Sequence, residues 1–141
     1  LEEYKAWVEP SDRKVLDFTN SISDMNVLHC CGWDADEANT HNHLESWKDY
    51  PSAAVSWAAF VDKKSVSEIR EFFNGRPVWG GFDNRTCGLI YQGTEEQIKE
   101  EALNLIQQGT KTGYMLGPDC SLPNDIDPKR IKWVIEAARS V

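Results

Sequence analysis

The sequence is short of cations. Lys and Arg number 15 against 23 Asp and Glu, a net charge of −8 over 141 residues. Phosphate backbones and anionic headgroups repel a surface of that sign, so neither a nucleic-acid nor a membrane partner is expected. Long apolar runs are missing as well, and nothing approaches the roughly 18 residues of a membrane span. Cysteine is sparse: four residues, of which Cys30 and Cys31 are adjacent. That is no secreted disulfide framework, and reduced thiols in the cytoplasm are expected. No basic, apolar leader is visible at the start. The first residue is Leu1 rather than Met, so a trimmed or excised fragment is one expectation. Internal repeats, low-complexity tracts and linkers are also absent, which leaves one expected domain over residues 1–141.

What is present suits a soluble globular domain, with 40% hydrophobic and 27% charged residues. Helix and strand signals alternate. Leu1, Tyr4, Trp7 and Val8 have helical spacing; Pro10 is expected to end that helix and Ser11 to cap the next, which carries Val15, Leu16, Phe18 and Ile22. Residues 25–31 read as a first strand, and residues 34–50 as a polar surface helix. Residues 53–60 read as a second strand. Ser65 and Glu68 have capping-box spacing before Ile69, Phe72 and Phe73. Residues 77–82 read as a third strand. Thr94 and Gln97 form a second such box, opening a helix with Ile98, Ala102, Leu105 and Ile106 inward and Gly109 at its end. Residues 112–116 read as a fourth strand, and Asp127-Pro128 as the start of a last helix. Four apolar strands alternating with helices imply a parallel α/β fold. An eight-stranded TIM (β/α) barrel takes about 250 residues, so this chain has the content of half a barrel.

Parallel folds collect chemistry at the C-terminal ends of their strands. Those ends read His29-Cys30-Cys31-Gly32, Phe60-Val61-Asp62, Gly81-Phe82-Asp83-Asn84-Arg85 and Gly117-Pro118-Asp119-Cys120. Side chains alternate along a strand, so His29 and Cys31 share a face that Cys30 leaves. Cys120 can close over the same mouth. One imidazole and two thiolates form a zinc set that keeps a fourth position open, as a catalytic site does. The other reading is that the cysteines are small packing residues.

The segments Leu28-His29-Cys30-Cys31-Gly32, Gly80-Gly81-Phe82-Asp83, Gln92-Gly93-Thr94-Glu95-Glu96-Gln97-Ile98 and Leu116-Gly117-Pro118-Asp119-Cys120 occur in a telling order. Together with Asp127-Pro128 and Glu136-Ala137-Ala138-Arg139, they resemble the C-terminal half of the uroporphyrinogen decarboxylase and cobalamin-dependent methyltransferase superfamily. The resemblance covers nearly the whole chain and implies the C-terminal half of a TIM barrel. His29, Cys31 and Cys120 match the His-x-Cys…Cys zinc motif of its methylcobamide:thiol methyltransferases. In those enzymes zinc holds an acceptor thiol as thiolate, which takes a methyl group from a corrinoid such as methylcobalamin. The true decarboxylases carry a His-containing glycine turn after the last strand, where this chain has Cys120.

The resemblance thus implies a zinc-dependent methyltransferase half whose partners are a small-molecule thiol and a corrinoid or corrinoid protein. A decarboxylase-like lyase half and a non-catalytic fragment keeping the fold are the alternatives. Asp83 resembles the family's Gly-x-x-Asp segment and is a candidate substrate-binding residue, though it could equally cap its own turn. Arg85, the one cation at that rim, could meet a substrate carboxylate or simply lie on the surface. His41 and His43, two apart on the expected helix, would not share a face. Cys30 and Cys87 are expected to be core or near-surface thiols, and the six tryptophans to serve packing. Four strands leave two open edges and an uncovered face, so a homodimer, or pairing with an N-terminal half, is expected.

Overall fold

The chain is described by a computed structural model covering residues 1–32 and 41–141. Four parallel strands form one sheet in the order β1 (Val27–Cys30), β2 (Ala54–Trp57), β3 (Val78–Phe82), β4 (Tyr114–Pro118). Each strand is added beside the last with no reversal of order. A doubly wound sheet would reverse at a switch point, so this arrangement is that of part of a (β/α) barrel.

The helices are α1 (Glu9–Ile22), α2 (Ala59–Asp62), α3 (Val66–Phe72), α4 (Leu89–Gln92), α5 (Glu95–Gly109) and α6 (Pro128–Ala138). Caps explain several boundaries. Ser65 and Thr94 each accept from the backbone three residues on, while Glu68 and Gln97 reach back, completing both expected capping boxes. Asp127 caps α6, with Pro128 at its first position. Ile69 of α3, Phe73 at its C-terminal cap, and Ala102 and Leu105 of α5 pack with Val55, Trp57, Val78 and Phe82 of the sheet to form the core.

Several boundaries differ from the sequence reading. Pro10 does not end a helix. A π-helical turn, Tyr4–Val8, runs directly into α1, and the Glu9 N–H reaches back to the Tyr4 carbonyl. The wider turn accommodates a proline that has no N–H to give, so Ser11 is not a cap. The second strand stops at Trp57, and Phe60 belongs to α2. Residues 34–40 of the expected surface helix lie outside the described residues; a 3₁₀ turn, Leu44–Trp47, follows, and His41 to His43 are not helical.

One face of the sheet is open. Register places His29 opposite Ser56, Ser56 opposite Trp79 and Trp79 opposite Met115, a row across all four strands. His29, Trp79 and Met115 are exposed, whereas Cys30, Trp57 and Val78 on the other face are buried under helices. The open face is thus mixed, with His29 and the buried Ser56 beside the exposed Trp79 and Met115, whereas helices cover the apolar face opposite. Among the described residues, no helix is long and apolar enough to cross a membrane.

Candidate metal centre

Alternation along β1 puts His29 and Cys31 on the open side and buries Cys30. Burial, helped by the nearby Asp62, pushes the Cys30 thiol up to about 12, which suits a packing residue. Cys120 is the second residue after β4. β1 and β4 are three strand spacings apart, roughly 14 Å in a flat sheet. Even so, the ligand atoms of His29, Cys31 and Cys120 all lie within 4.8 Å of one another.

Asp119 accounts for that approach. Its side chain is buried, with Oδ1 accepting from the Gly81 N–H at 2.9 Å and Oδ2 from the Phe60 N–H at 3.2 Å. Its own N–H donates to the Phe82 carbonyl at 2.8 Å. Asn84 Nδ2 then donates to the Ser121 carbonyl at 2.9 Å. The segment leaving β4 is thus drawn across the end of β3, and Cys120 is carried towards β1. Burial raises the Asp119 carboxyl to about 7 against the pull of those N–H donors.

Ser56 supports the other side. It is buried on β2, and its Oγ lies 3.0 Å from His29 Nδ1. Partial burial lowers the imidazole's pKa, favouring the neutral form that binds metals. With Nδ1 engaged by Ser56, Nε2 is the nitrogen open to an ion.

Two cavities share Asp119 and Cys120. A small recess of about 40 Å³ is lined by Cys31, Phe60, Asp83 and Arg85. A wider one of about 530 Å³ lies over the open face, between His29, Ser56, Trp79 and Leu122. Every expected site residue therefore lines one of two cavities that have Asp119 and Cys120 in common. Asp83 and Arg85 are occupied with each other. Arg85 Nη2 donates to Asp83 Oδ2 at 2.8 Å and Nε to Oδ1 at 2.9 Å, while the guanidinium stacks 3.4 Å from the Phe60 ring centroid. Asp83 also accepts from the Arg85 backbone N–H, the turn-capping role its sequence allowed.

The family model described as uroporphyrinogen decarboxylase (URO-D) matches residues 1–141. The chain belongs to the uroporphyrinogen decarboxylase family. No curated protein matches it. Members of this family are TIM barrels, which agrees with the sequential parallel sheet. In this family member His41 and His43 are exposed, their ring centroids 6.4 Å apart, and neither joins the metal-capable group. All four cysteines are free, with Cys87 exposed.

Sequence reasoning passed over Ser56 and Asp119. Each carried a signal. Ser56 is a lone hydroxyl in an apolar strand, and a buried hydroxyl needs a partner. Asp119 is an acid beside strand ends whose N–H groups want acceptors.

Proposed function

We propose that the chain is the C-terminal part of a zinc-dependent methyltransferase that moves a methyl group from a corrinoid to a thiol. The observation that carries this reading is the convergence of His29, Cys31 and Cys120. Their chemistry fits zinc: one imidazole and two thiols, with no fourth ligand in the group among the described residues. Zinc–ligand bonds of about 2.0–2.3 Å bring ligand atoms to roughly 3.3–3.8 Å of one another, so the group need close by only about an ångström.

Zinc held there would act as a Lewis acid, lowering the pKa of an acceptor thiol so that it is present as thiolate. The residues of this chain do the rest. Ser56 orients the imidazole, Asp119 holds Cys120 in reach, and the cavity between Trp79 and Leu122 admits the acceptor. A methyl corrinoid would supply the methyl group, leaving with the methyl–cobalt electron pair, and the acceptor thiol, its proton given up to water, would take that group through sulfur. The remaining strands of the barrel come from an N-terminal half or from a second copy of the chain.

A lyase acting on a carboxylated tetrapyrrole fits the lining less well. Such a substrate needs cations, and the guanidinium at this site is already paired with Asp83. Cobalt in place of zinc separates the readings. A visible spectrum that changes on adding a small thiol supports methyl transfer to sulfur. No response to any thiol, combined with tight binding of a porphyrinogen analogue, establishes the lyase reading instead.

A further inference from the structure

The fold brings two thiols together from opposite edges of the sheet. The Sγ atoms of Cys31 and Cys120 lie within 4.8 Å of each other. Each backbone is anchored on its own side. Cys31 follows Cys30, whose ladder partner is Trp57. It precedes Gly32, which packs so closely on the start of α2 that a Cβ there would lie 2.4 Å from Ala58 Cβ and 3.1 Å from Val61 Cβ. Cys120 follows Asp119, whose carboxylate the Gly81 and Phe60 N–H groups hold. Cys31 is exposed and Cys120 half-buried, and both line the small recess. The other thiols are placed differently. Cys30 is buried on the opposite face of β1, and Cys87 is not a member of the group.

A disulfide has an S–S length of about 2.05 Å, so the two sulfurs need approach by less than about 3 Å, within the reach of side-chain rotation. We propose that Cys31 and Cys120 are a redox-sensitive pair, which small disulfides close into an intrachain bond that dithiols reopen, and whose closure removes two of the three metal ligands. The Cys31 thiolate attacks the small disulfide, one sulfur of which leaves as thiolate, and a mixed disulfide remains. The Cys120 thiolate then attacks the Cys31 sulfur, forming the intrachain bond and expelling the second small thiolate. The two cysteines lose two electrons, and the small disulfide gains them. In the metal-free chain the two cysteine protons end on the two departing thiolates; in a loaded chain zinc leaves as the divalent ion. The release of zinc rests on the metal-site reading, whereas the cross-link rests on the two sulfurs alone.

Peptide mapping tests the pair first. The full chain, stripped of metal, is treated with bis(2-hydroxyethyl) disulfide and mapped by mass spectrometry without reduction. The expected product is a Cys31–Cys120 link within one chain, formed to the same extent by Cys30→Ala and reversed by dithiothreitol. A lasting mercaptoethanol adduct on Cys31 or Cys120, a bridge from either to Cys30 or Cys87, a link between chains, or two unmodified thiols overturns the proposal. The zinc-loaded chain is then treated alike. Cross-linking is expected to be slower by roughly tenfold or more, and the zinc retained after desalting to fall in step with it. Zinc that stays on the cross-linked chain, or bound zinc that does not slow the step, overturns the proposal. If the stripped chain cross-links but zinc does not bind it, the metal-site reading fails and the redox pair stands.

Discussion

Ser56 stands directly across the parallel ladder from His29, and its Oγ lies 3.0 Å from the ring Nδ1. Such a bond fixes both the ring plane and the nitrogen presented to a metal. Ser56→Ala removes it without disturbing the ligands. The expected result is a folded protein whose zinc affinity falls by roughly 10- to 100-fold, measured by competition with a chromogenic chelator. Unchanged affinity would mean that His29 is oriented by something else.

Gly81 carries a second prediction. Its φ of +109° is a conformation that side chains rarely adopt, and a Cβ there would lie 3.0 Å from both Leu105 Cδ2 and Tyr114 Oη. Its N–H is also one of the backbone donors that hold Asp119. Gly81→Ala should cost about 1–3 kcal/mol of stability. It should also loosen Cys120, read as faster alkylation of that thiol in the metal-free chain. Urea unfolding that matches wild type would remove the strain argument.

Association is the third. Trp7, Val15, Phe18 and Ile22 are 79%, 62%, 66% and 70% exposed along one helical run, and Trp79 and Met115 stand on the open face of the sheet. Apolar surface on this scale marks a contact that the single chain does not make. Light scattering at micromolar concentration should give a mass near twice 16.0 kDa. Phe18→Glu with Ile22→Lys should shift it towards the monomer. A wild-type chain that stays monomeric at that concentration refutes the expectation.

Much of the fold was legible because local rules decided it. Ser65, Thr94 and Asp127 cap the helices they were expected to cap, since a cap needs only its own next turn. Pro10 misled because its usual effect assumes a regular α-turn, and the chain uses a π-turn there instead. The pairing of His29 with Cys31 followed from strand alternation. The reach of Cys120 to them did not, because it depends on Asp119 bonding to Gly81 and Phe60, which are 38 and 59 residues away in sequence. No local pattern encodes contacts of that range. The occupation of Arg85 by Asp83 was likewise open until the geometry of the turn was known.

The central claim is that His29, Cys31 and Cys120 hold one zinc ion, and elemental analysis tests it most directly. The purified, non-chelated wild-type chain and its Cys30→Ala variant should each carry about one zinc per chain, because the Cys30 side chain is buried on the opposite face of β1. Cys31→Ala and Cys120→Ala should carry little or none after the same dialysis. Equal zinc in all four proteins, or none in wild type, would contradict the account.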